Sequence, residues 1–236
     1  MAARAPVDVS ANYRAVHERV AEACRRARRD PGDATLVAVS KGMSAASVRA
    51  AADASARHFG ENYVQEWAAK RAALADLAAV TWHFIGRAQH NKAAAIAEFG
   101  LVHSVADDRI AVALDAAARR RGEALRVLLQ VNVAGEATKS GVAPAELPRF
   151  LDSMRRLSAL RVVGLMTIPP PLAPEAVRPL FAMLRELRDR QEHARELSEL
   201  SMGMSGDFEV AIEEGATMVR VGTAIFGERP PPSEHS

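Results

Sequence analysis

The chain has 236 residues, 49% of them hydrophobic and 25% charged, with a formal net charge of +2. That balance is typical of one globular domain, and no apolar run approaches the roughly 18 to 20 residues that a membrane span needs. The single cysteine, Cys24, excludes an internal disulfide, and the N-terminus has no apolar signal-peptide core, so we expect a cytoplasmic protein. Aromatic residues are only 5% and the basic run at 25–29 lies on an amphipathic helix, so we expect neither nucleic acid nor a membrane as partner.

The first predicted element is a helix, since the apolar residues Tyr13, Val16, Val20 and Cys24 recur at three-and-four spacing. After it, short apolar runs alternate with amphipathic helical stretches such as 174–192. Continuous apolar runs are typical of parallel strands that are buried on both faces. The eight predicted strands cover 35–40, 57–60, 81–86, 101–105, 126–133, 160–168, 199–203 and 218–222.

Eight strands that alternate with helices predict a single closed TIM-type (β/α)8 barrel, preceded by the N-terminal helix. An open doubly wound sheet is the alternative, but it more often carries a glycine-rich fingerprint after the first strand, where this chain has V39-S-K-G-M-S44. No linker divides the chain. We therefore predict one barrel domain over 1–228 and a Pro-rich flexible tail over 229–236.

Two loops at the carboxyl ends of the last strands are candidates for binding a phosphate. The loop 201–205 precedes a predicted helix, and Gly222-Thr223 opens the turn after strand eight. Free backbone N–H groups at such positions bind anions, and phosphate sites in this architecture favour these two loops. A simple N-cap at Ser205 and a turn glycine at Gly222 are the structural alternative. Asp207 would repel a phosphate, so we expect its side chain to point away and to serve the first helical turn.

Lys41 ends the first strand, in a chain that has only three other lysines. An apolar barrel mouth would lower the lysine pKa and free the amine to attack a carbonyl, although a solvated lysine, or one paired with Glu61, is equally compatible with the spacing. An amine near a phosphate site suits either pyridoxal phosphate or a sugar phosphate in a Schiff-base aldolase. Arg220 favours pyridoxal phosphate, because an arginine would donate to the pyridine nitrogen, keep it unprotonated and so leave it a weak electron sink.

The chain also resembles a known family over nearly its whole length, the pyridoxal phosphate homeostasis proteins, which are single-domain relatives of the N-terminal barrel of alanine racemase. The motifs that carry the resemblance are VAVSK at 37–41, FGENYVQE at 59–66, WHFIG at 82–86, Gln89 with NK at 91–92, VNV and KSGV at 131–142, VVGLMTI at 162–168, LSMGMSGDFEVAIEEGAT at 200–217 and VRVGTAIFG at 219–227. The resemblance implies a barrel of PLP fold type III that holds pyridoxal phosphate as a Schiff base on Lys41. The other cofactor-binding residues it implies are Asn62, Met166, Ser201, Met202, Ser205, Arg220, Gly222 and Thr223.

The resemblance further implies a role in intracellular vitamin B6 and amino-acid homeostasis without efficient catalysis, with PLP-dependent apo-enzymes as recipients of the cofactor. Racemases of this fold bring a tyrosine acid/base from a second domain and the partner subunit, whereas this chain has only Tyr13 and Tyr63, both in predicted helical stretches. A slow amino-acid racemase or lyase on the same barrel is the alternative. We expect a monomer without a metal, in which His83 and His103 are satisfied interior groups.

Two segments depart from the family pattern. The family continues its lysine motif with a basic residue and a proline, where this chain has Gly42, Met43 and Ser44. It places a histidine after WHFIG, where this chain has Arg87 and a later His90. These departures put in doubt any secondary surface for cofactor transfer, and they leave the lysine and the phosphate loops untouched.

Overall fold

The computed structural model describes residues 7–77, 79–136 and 138–228, and its strands form one closed parallel barrel. Each strand pairs with the next along the chain, and the first closes the barrel against the eighth, with Val37 opposite Arg220. The predicted tail at 229–236 lies outside the described residues. The strands are β1 (Thr35–Val39), β2 (His58–Glu61), β3 (Thr81–Phe84), β4 (Leu101–Val105), β5 (Leu125–Gln130), β6 (Leu160–Met166), β7 (Glu199–Ser201) and β8 (Met218–Val221).

Helices connect the strands, and a longer one precedes them. Asp8 caps the N-terminal helix, because its carboxylate accepts the Ala11 N–H at 2.9 Å, and this helix packs against the second, eighth and ninth helices. Within 7–77, 79–136 and 138–228, no helix is both long and apolar enough to cross a bilayer. The helices are α1 (Val9–Arg26), α2 (Ala45–Asp53), α3 (Val64–Ala73), α4 (Ala93–Ile96), α5 (Asp108–Arg121), α6 (Leu147–Met154), α7 (Pro174–Asp189), α8 (Phe208–Glu213) and α9 (Thr223–Phe226).

The predicted barrel with a preceding helix is confirmed, and the differences lie at the ends of elements. β5 ends at Gln130 because the chain then turns, and the Asn132 N–H donates to the Val142 carbonyl at 2.9 Å. β7 ends at Ser201 because Gly203 adopts a positive φ of 94°. The helix predicted over 174–192 ends three residues early, at Asp189.

The barrel wall separates two groups of buried apolar side chains. The larger group fills the layer between strands and helices and includes Leu36 and Ala38 of β1. Because successive strand residues face opposite sides, Val37 faces the barrel interior together with its register partner Arg220. The smaller group lies on that interior side and consists of Leu101, Leu128, Val163, Met166 and Met218. The interior is also polar, since His83, His103, Ser201 and Arg220 are each at most 4% exposed.

Gly164 lets β6 and β7 pair at normal spacing. A Cβ atom there would lie 1.9 Å from the carbonyl oxygen of its register partner Glu199. We expect Gly164→Ala to lower the free energy of unfolding by about 3 kcal/mol or more, because one strand must shift. Urea unfolding measures this change. Gly32→Ala is the matched control, with nothing within 4 Å of its added Cβ, and equal losses from the two substitutions would contradict the steric explanation.

Candidate functional site

Lys41 lies at the carboxyl end of the barrel, one residue beyond β1, and it is half-buried. The peptides on both sides of it are held in place. Before it, the Ser40 N–H donates to the Gly60 carbonyl at 3.0 Å. After it, the Gly42 N–H donates to the Glu66 carboxylate. The lysine backbone is therefore anchored to β2 on one side and to α3 on the other.

A second lysine, Lys70 of α3, completes this anchorage. Its Nζ donates to the Ser40 carbonyl, to Glu61 Oε1 and to Glu66 Oε1, each at 2.6 Å. Lys70 is 5% exposed and Glu61 is fully buried. One buried ammonium group thus ties the end of β1 to the end of β2 and to α3, on both sides of Lys41.

Glu61 takes Ser40 and Lys70 as its hydrogen-bond partners, both through Oε1 and both at 2.6 Å. Burial raises the pKa of the Glu61 carboxyl, while the hydrogen bonds from Lys70 and Ser40 oppose that rise. Sequence reasoning considered Glu61 as a partner for Lys41 and did not single out Lys70 or Glu66. Their four-residue spacing on α3 was the available signal, but such pairs are common on solvated helix faces.

The segment 42–44, where the chain departs from the family pattern, forms the turn from β1 into α2. Gly42 adopts a φ of +74°, a conformation that favours glycine. Ser44 caps α2, because its Oγ accepts the Ser47 N–H at 3.1 Å. The departure therefore has a local structural explanation.

Asn62 follows β2 at the same end of the barrel, and its loop packs closely against the one after β3. A Cβ atom on Gly86 would lie 2.3 Å from the Asn62 carbonyl oxygen, so only glycine fits there. The Asn62 Oδ1 atom is buried and has no hydrogen-bond partner among the described residues. A buried amide oxygen without a donor fits a bound ligand that would supply one. Arg87, the second departure, lines with Asn62 and Lys92 a cavity of about 260 Å³.

The two predicted phosphate loops contact each other. The Gly222 N–H donates to Ser205 Oγ at 3.3 Å, and the Arg220 N–H donates to the Gly203 carbonyl at 3.0 Å. Gly203 is required here, since a Cβ atom would lie 2.6 Å from the Ala211 Cβ. The turn leaves the amide N–H groups of Ser205 and Gly206 without an acceptor in the described part of the chain, open to a ligand or to water.

Asp207 is placed differently from the prediction in one respect. Its Oδ1 accepts the Met204 N–H at 2.6 Å, so the carboxylate stabilises the loop before α8. The expectation that it would serve the first helical turn is wrong, because its side chain makes no cap to α8. The conformation of the loop itself turns the Met204 N–H toward this carboxylate.

Arg220 is buried inside the barrel with neutral acceptors. Its Nη1 donates to Ser201 Oγ at 2.5 Å and its Nη2 donates to the Thr167 carbonyl at 2.9 Å. No carboxylate of the described chain forms an ion pair with it. Burial lowers the pKa of Arg220 to about 10, so the guanidinium stays protonated at neutral pH. It can therefore only donate hydrogen bonds to a neighbouring group.

The remaining predicted site residues divide between the two sides of the barrel wall. Met166 is the last residue of β6, at the carboxyl end of the barrel, and its side chain lies in the interior apolar group. The Met202 side chain packs in the larger group outside the barrel, because the preceding Ser201 faces inward. Thr223 is exposed at the start of α9.

Three histidines that sequence reasoning did not connect form a hydrogen-bonded row inside the barrel. His58 contacts His83 at 3.0 Å, His83 contacts His103 at 2.9 Å, and His103 contacts Ser201 at 2.8 Å. The prediction that His83 and His103 are satisfied interior groups is confirmed. In the ranges that the structure describes, no group of three His, Cys, Asp or Glu residues is placed to hold a metal ion.

Known proteins resemble this chain along most of its length. Residues 11–230 match the family model of the alanine racemase N-terminal domain. The pyridoxal phosphate homeostasis protein of Pseudomonas aeruginosa is 49% identical over 225 residues, which cover 94% of this chain and 96% of that protein. PipY of Synechococcus elongatus, solved with PLP bound, is 40% identical with a TM-score of 0.78, over 90% of this chain and 100% of PipY.

A more distant structure shares the fold alone. Alanine racemase from Corynebacterium glutamicum is 20% identical with a TM-score of 0.64, and the match covers 94% of this chain but 62% of the racemase. The Pseudomonas aeruginosa protein and PipY, in contrast, match over at least 90% of both chains, at 49% and 40% identity. The chain therefore belongs to the pyridoxal phosphate homeostasis protein family, which is built on the alanine racemase N-terminal domain.

Proposed function

We propose that the chain binds pyridoxal 5′-phosphate at the carboxyl end of its barrel and acts in the intracellular homeostasis of this cofactor. Lys41 would supply the amine that binds the aldehyde. The family membership and the PLP-bound structure of PipY support this assignment. The proposed binding residues are Lys41, Asn62, Met166, Ser201, Met202, Ser205, Arg220, Gly222 and Thr223.

The residues present fit such a ligand. The unpartnered Asn62 Oδ1 and the open N–H groups of Ser205 and Gly206 lie in loops at the same end of the barrel as Lys41. Amide N–H groups in a tight loop suit a phosphate, as the glycine at 203 allows the chain to turn there. Met202 would take part through its backbone, since its side chain lies in the larger apolar group between the strands and the helices.

The observation that carries the functional proposal is the environment of Arg220. When bound, pyridoxal phosphate supplies an aldehyde for amines and a ring that withdraws electrons from them. A guanidinium facing the ring nitrogen donates a hydrogen bond to it and favours its unprotonated form, in which the ring withdraws electrons weakly. The hydrogen bonds of Arg220 go to the neutral Ser201 and Thr167, and among the described residues no carboxylate pairs with the guanidinium to oppose this preference. We therefore propose a carrier without efficient amino-acid catalysis.

The proposal extends to the setting in which this carrier works. The recipients would be PLP-dependent apo-enzymes, and the carrier would be a cytoplasmic monomer that handles no nucleic acid. The single cysteine agrees with a reducing compartment, because proteins of oxidising compartments are often stabilised by internal disulfides and this chain can form none.

Cofactor binding is tested by titrating the purified protein with pyridoxal phosphate and recording its visible absorption. We expect a new band with saturating amplitude in the wild type and in Lys92→Ala, and no such band in Lys41→Ala. Lys92 is the matched control because it also lies on the carboxyl side of a strand, in the turn after β3. A Lys41→Ala protein that develops the wild-type band would contradict the role of Lys41.

The absence of efficient catalysis is tested by exchange of the α-proton of amino acids in deuterated water. The two tyrosines are differently placed: Tyr13 is buried in α1, where burial raises the pKa of its phenol, while Tyr63 precedes α3 and is 60% exposed. Tyr63 thus lies next to Asn62 and outside the helix in which it was predicted. We expect slow exchange that Tyr63→Phe leaves unchanged. Fast stereoselective exchange that is lost in Lys41→Ala or Tyr63→Phe would favour the racemase or lyase alternative.

A further inference from the structure

The row of histidines crosses the barrel from its amino end toward its carboxyl end. His58 is the first residue of β2, and the register pairs Gly60 with His83 and His83 with Leu101. Each step from His58 to His83 to His103 therefore rises two residues, or about 6.6 Å, along the strands. Beyond His103, the row reaches Ser201 at the end of β7 and, through it, the guanidinium of Arg220. It thus joins the opposite end of the barrel to the proposed cofactor site.

The atoms that take part give the row a direction. Arg220 only donates, so it occupies one lone pair of Ser201 Oγ. The Ser201 hydroxyl then has one proton to donate, and His103 Nδ1 at 2.8 Å is its acceptor in the structure. In the opposite arrangement His103 would donate to Ser201, and the buried serine proton would have no acceptor among the described residues. A buried donor left without an acceptor is unfavourable, so the first arrangement is preferred.

The direction then propagates through the other two rings. With Nδ1 as acceptor, neutral His103 carries its proton on Nε2 and donates to His83 Nδ1 at 2.9 Å. His83 likewise donates from Nε2 to His58 Nδ1 at 3.0 Å. His58 ends the row with its Nε2 proton at the half-buried amino end. His83 and His103 thus each accept one hydrogen bond and donate one within the row, while His58 accepts one and keeps its own proton toward the amino end.

We propose that His58, His83 and His103 are positioning residues for Arg220, which fix the hydrogen-bond direction of Ser201 and thereby hold the guanidinium toward the cofactor site. This inference rests on the proposed function, since it concerns the same site. It adds that the site is organised from the opposite end of the barrel, through three side chains that lie outside the set proposed to bind the cofactor.

The charges around the row agree with three neutral rings. Burial lowers the pKa of His83 to about 3 and that of His103 well below its usual range. Arg126 of β5 acts in the same direction on all three histidines, and Arg220 does so on His103. Burial also lowers the pKa of His58, which Glu199 of β7 opposes. A proton added at any ring would reverse or break the direction described above.

Nitrogen-15 NMR of the histidine rings in the ligand-free protein tests the direction itself. We expect His83 and His103 to be neutral from pH 5.5 to 8, both with the proton on Nε2. A charged ring at neutral pH, or a proton on Nδ1 of either residue, would overturn the proposal. This measurement needs no cofactor, so it tests the hydrogen-bond direction even if the wild-type protein fails to bind pyridoxal phosphate. Failure to bind would contradict the proposed function and not the direction of the row.

Substitutions at His83 test the effect on the site, since His83 contacts neither Ser201 nor Arg220 in the hydrogen-bond row. His83→Leu removes the donor and the acceptor, and we expect the Kd for pyridoxal phosphate to rise about tenfold. His83→Gln keeps one donor and one acceptor, and we expect it to stay within about threefold of the wild type. Leu101→Val, at the register partner of His83 in the interior apolar group, controls for altered packing and should bind as the wild type does.

Two outcomes of this comparison would overturn the proposal. One is a His83→Leu protein that binds pyridoxal phosphate as tightly as the wild type. The other is equal weakening in the leucine, glutamine and Leu101→Val variants, which would assign the effect to packing alone. If His83→Leu does not fold, the glutamine variant and the ring tautomers in the wild type still decide.

Discussion

Replacing Lys70 with methionine is expected to lower the free energy of unfolding by about 3–5 kcal/mol, because it leaves a buried carboxylate without its cation. Lys70 holds Glu61, Glu66 and the Ser40 carbonyl at 2.6 Å each, and Glu61 is fully buried. Urea unfolding of the purified variant at neutral pH measures the change. The matched control is Lys92→Met, which removes a half-buried lysine from the turn after β3 and should change stability by less than about 0.5 kcal/mol.

A second variant separates the lost charge from the lost packing. Glu61→Gln removes the buried negative charge, so the double variant Glu61→Gln/Lys70→Met should be more stable than Lys70→Met alone. A Lys70→Met protein as stable as Lys92→Met would contradict the network. Since Lys70 also bonds the peptide before Lys41, we expect the single variant to bind pyridoxal phosphate more weakly than the control.

The protein is expected to lose stability already in mild acid, at pH values well above those at which acid unfolding usually occurs. In the folded chain the pKa of His83 is about 3, and the pKa of His103 is well below its usual value. A histidine in the unfolded chain titrates near 6.5. Below pH 6.5 the unfolded chain therefore binds protons that the folded chain does not bind, and stability falls as pH falls. Each fully buried histidine should remove roughly 2 kcal/mol between pH 7 and pH 5, or about 4 kcal/mol for the two.

Urea unfolding at pH 7, 6 and 5 measures this slope. His83→Gln should lose about half as much stability as the wild type over the same interval, since only one buried histidine remains. His17→Gln replaces an exposed histidine of α1 and should keep the wild-type slope. The carboxyls of Glu175 and Glu213, whose pKa values Arg178 lowers, add their own loss only at lower pH. A free energy that stays constant from pH 7 to pH 5 would contradict the neutral histidine row.

The sequence predicted the barrel because its parallel strands are buried on both faces and so read as short apolar runs between amphipathic helices. The same property made strand ends uncertain. β5 and β7 stop where Asn132 and Gly203 turn the chain, and such turns depend on tertiary hydrogen bonds and on one backbone angle. The side of the barrel wall on which the Met202 side chain lies could not be predicted either, because it depends on the register of β7, a strand of only three residues.

The polar interior was the part that sequence reasoning could not assemble. Lys70 and Glu66 have the spacing of an ordinary surface pair, and only the closure of β1 beside β2 brings Glu61 and Ser40 to them. His58, His83 and His103 come from three different strands, and only the barrel register aligns them. Local patterns report which face of an element is apolar, whereas contacts across a barrel depend on how all eight strands are staggered.

The most direct test of the central claim is borohydride reduction of the protein loaded with pyridoxal phosphate, followed by peptide mapping of the modified lysine. Reduction fixes the aldehyde carbon to the amine that holds it, and the chain offers only Lys41, Lys70, Lys92 and Lys139 as side-chain amines. We predict one modified peptide, with the label on Lys41. A label on any of the other three lysines, or no label at saturating cofactor, would contradict a cofactor site at the carboxyl end of β1.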